Sequence, residues 1–345
     1  MNQSQKNSNK DNNWIKQLLV VILLLVLPVL MVIYNGKSAL EAIFWEGNSE
    51  KPTVITNLSN LIMDSISSNT LSYGMYDPEN KFNDYKNLDY EVIYFSWIQF
   101  NPNELTEKMN QISIRGRTPY LVCEPWSNSG MATNYLQNIP KGHYDTTLAN
   151  IAKSIKRFNR AIFLSWGHEM DQDLTSRYTW SGQDSTSFIN AYKYVVEYLR
   201  KNTKSTIHWV WSPIAKKGCL SYWPGENYVD YIGFPIYSFP AWDRSYYGYI
   251  RDFKTTFDEK YHLVKSYNKP IFIVEFGVTG SEDFVAFWSQ EAFKTFKQYP
   301  LLTGLFFFHS QDAPNAWGKN IPTPDWRMNS EMIKGLVDYY KKKEN

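Results

Sequence analysis

Two glutamates stand where this chain could do chemistry. Glu169 follows the apolar run Ala161-Ile162-Phe163-Leu164-Ser165-Trp166-Gly167-His168, and Glu275 follows Pro270-Ile271-Phe272-Ile273-Val274. Each run has the length and β-branched or aromatic content of a buried strand, so each acid is expected at a strand's exit. Two such carboxyls across an aromatic cleft can cleave a glycosidic bond. One stays protonated to donate to the leaving oxygen, while the other is ionised and attacks or stabilises the anomeric carbon. Taken singly, either glutamate reads equally well as the partner of a nearby basic residue.

Other chemistries lack their residues. The sequence has no GxSxG, no GxxxxGK[ST] and no GxGxxG after a strand. His168-Glu169-Met170-Asp171-Gln172 opens like a zinc-protease helix but has no second histidine at its fifth position. With five His and no clustered Cys, neither a metal nor a cofactor is expected. Cys123 and Cys219 are too few for a disulfide framework; free thiols are expected, with a Cys123–Cys219 bridge as the lesser alternative.

The elements that must position the glutamates recur at even intervals. Candidate strands are Leu71–Tyr76, Glu91–Trp97, Thr118–Glu124, Ala161–His168, Thr206–Ser212, Tyr228–Tyr237, Pro270–Glu275 and Thr303–His309. Between them lie candidate helices Asn103–Ile114, Thr146–Phe158, Thr186–Lys201, Tyr246–Ser266 and Asp283–Gln298, and Ser330–Lys342 follows the last strand. The stretch from Ser212 to Tyr228 shows little helical periodicity. Eight strands alternating with helices predict an α/β fold, a (β/α)8 TIM barrel, with the glutamates at its C-terminal face. An open doubly wound sheet would carry a glycine-rich turn after its first strand, and Gly74-Met75-Tyr76-Asp77 is not one.

Composition narrows the partners. Lys+Arg 36 against Asp+Glu 34 leaves no basic field for a polyanion, so nucleic acid is not expected. The 13 Trp and 25 Tyr suit the flat faces of sugars as well as a core. Leu18 to Tyr34 is an uncharged apolar run, preceded by Lys6, Lys10 and Lys16 against Asp11 alone. A single N-terminal transmembrane helix is therefore expected, with the charge bias placing the rest of the chain outside the cytoplasm. The organisation predicted is a cytoplasmic tail over 1–17, an uncleaved signal anchor over 18–34, a juxtamembrane segment over 35–52 and the barrel over 53–345.

The sequence resembles glycoside hydrolase family 26, the β-mannanase and β-1,3-1,4-glucanase family of the 4/7 barrel clan. The resemblance rests on Trp166-Gly167-His168-Glu169-Met170-Asp171 and Ile273-Val274-Glu275-Phe276-Gly277, supported by Glu124-Pro125-Trp126, Trp209-Val210-Trp211-Ser212-Pro213 and Trp223-Pro224-Gly225-Glu226-Asn227-Tyr228-Val229-Asp230. It implies retaining hydrolysis of a β-linked polysaccharide of the mannan, glucomannan or β-glucan class. Glu169 would be the acid/base and Glu275 the nucleophile. His168 would hydrogen-bond near the bound sugar or the nucleophile, and Tyr237 would orient Glu275. Asp171-Gln172-Asp173 and Gly233-Phe234-Pro235-Ile236-Tyr237 depart from the usual family pattern beside the sugar subsites, which leaves the sugar open.

Trp97, Trp126, Trp180, Trp211, Trp242 and Trp317, at or after strand ends, are candidate sugar platforms. Glu124 is a candidate for sugar hydroxyls, with an ion pair to Arg117 as the alternative, and Asp312 is a further candidate contact. The expected role is an anchored endo-acting glycanase, trimming an exported polysaccharide beside a synthase or export complex. The alternatives are a non-catalytic glycan-binding scaffold and a transglycosylase using the same covalent intermediate.

Overall fold

The apolar runs form eight parallel strands: β1 (Ser72–Tyr76), β2 (Tyr90–Ser96), β3 (Thr118–Glu124), β4 (Ile162–Trp166), β5 (Ile207–Trp211), β6 (Tyr231–Ser238), β7 (Ile271–Val278) and β8 (Leu302–Phe308). They pair in chain order, and β8 pairs with β1 to close the barrel. This is a computed structural model, and it describes residues 71–127, 134–173 and 177–344. The expected tail, anchor (18–34) and juxtamembrane segment lie outside the described residues. Among the described residues no helix is long and apolar enough to cross a membrane.

The helices are α1 (Pro102–Ile114), the short α2 (Tyr135–Asn138), α3 (Asp145–Phe158), α4 (Ser185–Asn202), α5 (Pro240–Tyr247), α6 (Phe253–Val264), α7 (Glu282–Thr295) and α8 (Ser330–Glu344). Side-chain caps set the starts of α1, α4, α6 and α7. Asn101 accepts from the Asn103 N–H at the head of α1, and Asp184 accepts from the Ser187 N–H at the head of α4. The single helix expected over Tyr246–Ser266 is instead two. Gly248, at φ 80, ends α5 in the left-handed region, and Asp252 restarts the chain by capping α6. The connection from Ser212 to Tyr228 carries only 3-10 turns. Cys123 and Cys219 are free and buried.

The barrel's interior is unusually aromatic. Tyr120, Phe163, Phe272 and Phe306 pack there with Val92, Val122, Val210 and Val274. Gly74 leaves room for the Phe306 ring and Gly304 for the Phe272 ring, so large and small residues on neighbouring strands fill one another's space.

One irregularity decides where the chemistry faces. In the β6–β7 pairing Phe234 lies opposite Ile273 but Pro235 opposite Glu275, so Val274 is an extra residue on β7. Phe272 and Val274 point into the barrel, whereas Ile273 and Phe276 pack in the outer core. Strict alternation would send Glu275 outward too. The bulge turns it inward, with Val274 and Glu275 both on the interior side. Pro235 has no N–H to give the ladder, and a bulge is where an interior strand tolerates such a residue. Gly233 makes the space that Val274 occupies. The strand runs on to Val278, so Glu275 lies within β7 rather than at its exit.

Candidate active site

Glu275 is held by two phenols. The Tyr94 hydroxyl, from β2, donates to its Oε1 at 2.6 Å, and the Tyr237 hydroxyl, from β6, donates to its Oε2 at 2.6 Å. Burial pushes the Glu275 carboxyl up, and the two phenolic donors pull it back towards the ionised form. Both phenols are themselves pushed well above their ordinary value, by burial first and then by the Glu275 charge, so they remain donors. Gly277 keeps Tyr237 in place, since a Cβ there would come within 2.7 Å of its ring.

Glu169 is positioned differently. After β4 the chain turns through Gly167 at φ 63 and Glu169 itself at φ 54, a left-handed backbone uncommon for a non-glycine residue. The turn is held from several sides. The Glu169 N–H donates to the Ser212 carbonyl at 2.6 Å, and the Ser181 hydroxyl donates to the Glu169 carbonyl at 2.7 Å. Such strain persists only where the surroundings over-determine it. The Gln172 amide donates to the Glu169 Oε2. Burial pushes the Glu169 carboxyl up to about 8, with the charge of Glu275 adding to it and Arg177 opposing it. Both carboxyls are raised by burial, but only Glu275 has two phenol donors to its carboxylate, so of the pair Glu275 is the readier to ionise and its charge then helps Glu169 keep its proton.

His168 is buried at 3 % exposure, and neither ring nitrogen has a hydrogen-bond partner among the described residues. Its ring packs edge-on against Tyr94 and Tyr178. Burial lowers its pKa to about 3, so it is a neutral imidazole with both nitrogens available. A histidine satisfied within the core would look otherwise.

Three tryptophans expected as sugar platforms are walled in. Trp97 is 1 % exposed, stacks on Tyr144 and donates its indole N–H to the Trp126 carbonyl. Trp180 has no exposed surface; it stacks on Tyr178 and donates to the His168 carbonyl, which braces the acid-bearing turn. Trp211, likewise unexposed, packs against Trp223 and Tyr267. None of the three has a face to offer a sugar.

Trp126, Trp242 and Trp317 are partly exposed. Trp317 stands edge-on to Tyr237, and Trp242 stands edge-on to Trp317, so aromatic surface runs outward from the phenol that holds Glu275. Asp312 accepts from the Trp317 and Trp326 indoles at 2.8 and 3.3 Å, so it fixes rings rather than standing free for substrate. Glu124 accepts from the Trp126 indole at 3.0 Å. Arg117 is elsewhere, paired with Glu91 at 2.9 Å, which removes the alternative partner for Glu124.

Tyr94, Gln172 and Arg177 are site residues that strand-end reading passes over. Arg177 lies 3.7 Å from Asp312, donates to the Tyr178 hydroxyl at 2.7 Å, and its charge acts on Glu124, Glu169 and Glu275. Tyr94 had a signal: Tyr90, Val92 and Tyr94 alternate along β2, and that face is the barrel interior.

Removing either phenol tests the ionisation of Glu275. Tyr94→Phe and Tyr237→Phe should each lower kcat/KM about 10- to 100-fold, the worth of a hydrogen bond to a charged group. Because each donor lowers the Glu275 pKa, its loss moves the acid limb of the pH–rate profile to higher pH. An unmoved acid limb in both variants would show that the phenols do not set that ionisation.

Comparison with known proteins finds related chains. Residues 129–297 match the family model for glycosyl hydrolase family 26. The chain is 25% identical over 248 residues to "Endoglucanase H" of Acetivibrio thermocellus, which covers 68% of this chain and 25% of that protein. It is 25% identical over 149 residues to "Beta-1,3-xylanase TXYA" of a Vibrio species, covering 41% of this chain and 28% of that protein. The chain therefore spans about a quarter of the length of the curated relatives it matches. Among solved structures, the catalytic domain of an endo-beta-1,4-mannanase of family 26 from Bacillus sp. JAMB-750 superposes with a TM-score of 0.59 at 15% identity, over 81% of this chain and 88% of that one. At that identity the likeness shows the fold.

Proposed function

We propose that this chain, of which residues 129–297 match the family model for glycosyl hydrolase family 26, is a retaining endo-β-glycanase. Glu275, ionised, attacks the anomeric carbon while Glu169, protonated, donates to the departing oxygen. Glu169, now ionised, then takes a proton from the water that releases the sugar. The observation that carries this reading is the asymmetry of the pair. One carboxyl is clamped by two phenol donors, and the other is burdened by burial and by its neighbour's charge. His168, whose ring nitrogens have no hydrogen-bond partner among the described residues, is assigned to the sugar at the cleavage point. Trp126, Trp242 and Trp317 are assigned to flanking sugars.

The substrate assigned is a β-linked polysaccharide of the mannan, glucomannan or β-glucan class, with β-1,3-xylan added by the Vibrio relative's name. No cofactor enters the mechanism. We also place the barrel outside the cytoplasm, tethered by Leu18–Tyr34. The support is the length of that uncharged run and the lysines before it. A tethered glycanase suits a polymer that emerges at the membrane, so trimming beside a synthase or export complex is the role proposed.

The test is to incubate the full chain with mannan, glucomannan, mixed-linkage glucan and β-1,3-xylan and count new reducing ends, with Glu275→Ala as control. Release from at least one polymer, absent in the control, is expected. Tight binding without release from any polymer would replace the enzyme with a glycan scaffold, and longer products without net release would indicate transglycosylation.

A further inference from the structure

Two charged side chains near the site have no part in the chemistry above, and both converge on one residue. Asp171 accepts from the Ile214 N–H at 2.7 Å and from the Lys216 N–H at 3.0 Å. Lys260, on α6, donates its ammonium to the Ile214 carbonyl at 2.7 Å and to the Pro235 carbonyl at 2.8 Å. Ile214 is thus gripped at its N–H by an anion and at its carbonyl by a cation. Next to it Ala215 sits at φ 60, a left-handed backbone that needs such holding.

The gripped loop is the one that supports the acid. Its first residue, Ser212, supplies the carbonyl that receives the Glu169 N–H. Pro235, the other acceptor of Lys260, lies in register with Glu275. One ammonium therefore ties the backbone behind Glu169 to the backbone beside Glu275.

We propose that Asp171 and Lys260 form an opposed-charge clamp behind Glu169, positioning it for proton transfer. The inference rests on the reading of Glu169 as acid/base. Both are positioning residues, since they act through Ile214 and through their fields. Their electrostatic effects on Glu169 have opposite signs: the Asp171 anion raises its pKa and the Lys260 cation lowers it. The other charges facing Glu169 are Glu275 and Arg177. Those facing Lys260 are Asp171, Glu169, Arg251 and Glu259. Loss of hydration lowers the Lys260 ammonium to about 8, while Asp171 and Glu169 hold it up, so it is largely charged at neutral pH.

The opposed signs separate an electrostatic clamp from a merely mechanical one. The experiment is a ¹³C NMR titration of the full chain labelled at glutamate carboxyls, with the Glu169 resonance assigned by its loss in Glu169→Gln. Lys260→Met should raise the Glu169 midpoint by more than about 0.5 pH unit, and Asp171→Asn should lower it by a comparable amount. Lys260→Arg, which keeps the charge, should leave it near that of the native chain. Midpoints that stay put, or move the same way in Lys260→Met and Asp171→Asn, would overturn the proposal. Should Lys260→Met fail to fold by circular dichroism, Asp171→Asn and Lys260→Arg decide: a downward shift in the first and none in the second supports the clamp, and any other result overturns it. The titration needs no turnover, so it can fail while polymer cleavage succeeds, or succeed while cleavage fails.

Discussion

Glu275→Ala should lower the rate of polymer cleavage by about four to six orders of magnitude, the range seen when a covalent nucleophile is removed from an otherwise intact site. The variant should fold, because the substitution removes a buried charge and leaves a small polar space lined by the Tyr94 and Tyr237 hydroxyls that held the carboxylate. That space is open to a small anion. Added azide should therefore restore part of the rate with an activated aryl glycoside of the cleaved sugar. It should yield a glycosyl azide of inverted configuration, since azide attacks from the face the glutamate occupied. Rescue that gives the retained configuration would move the nucleophile away from Glu275.

Glu169→Ala should separate leaving groups. Proton donation is worth about 10²- to 10⁴-fold where the departing oxygen is a poor leaving group, and little where it leaves without a proton. Polymer cleavage should fall by that factor, while the first turnover of a dinitrophenyl glycoside stays close to native, read as a burst followed by slow release. The pH profile carries the same assignment with a fixed sign. In the proposed mechanism Glu169 works as an acid in its protonated form, and burial, then the Glu275 charge, push its carboxyl up to about 8. Activity should therefore hold through neutrality and fall as pH rises through about 8. That alkaline limb should be absent from the dinitrophenyl burst of Glu169→Ala. A limb that survives the substitution would belong to another group.

The barrel was legible because its strands are continuous apolar runs flanked by polar turns, and Thr118–Glu124 is bounded identically in sequence and structure. The inward aim of Glu275 was not legible from its own strand. Alternation from Phe272 and Val274 points it at the helices, and only the bulge at Val274 reverses that. Gly233 and Pro235 in the neighbouring strand are the local marks of that bulge. The tryptophans misled for a related reason. A strand-terminal ring can cap the core or face the cleft, and Trp97, Trp180 and Trp211 took the first course because Tyr144, Tyr178 and Tyr267 supply matching aromatic surface. The meeting of Asp171 and Lys260 at Ile214 depends on three separate connections folding together, and no spacing in the sequence announces it.

The most direct test of the paired-carboxylate account is the anomeric configuration of the first product. The full chain is mixed with the polymer it cleaves inside an NMR tube, and the new reducing-end proton is followed before mutarotation. Two displacements through Glu275 predict that the β-anomer appears first and the α-anomer grows in later. An α-anomer first would mean a single displacement by water, with Glu275 as a base rather than a nucleophile, and would contradict the account.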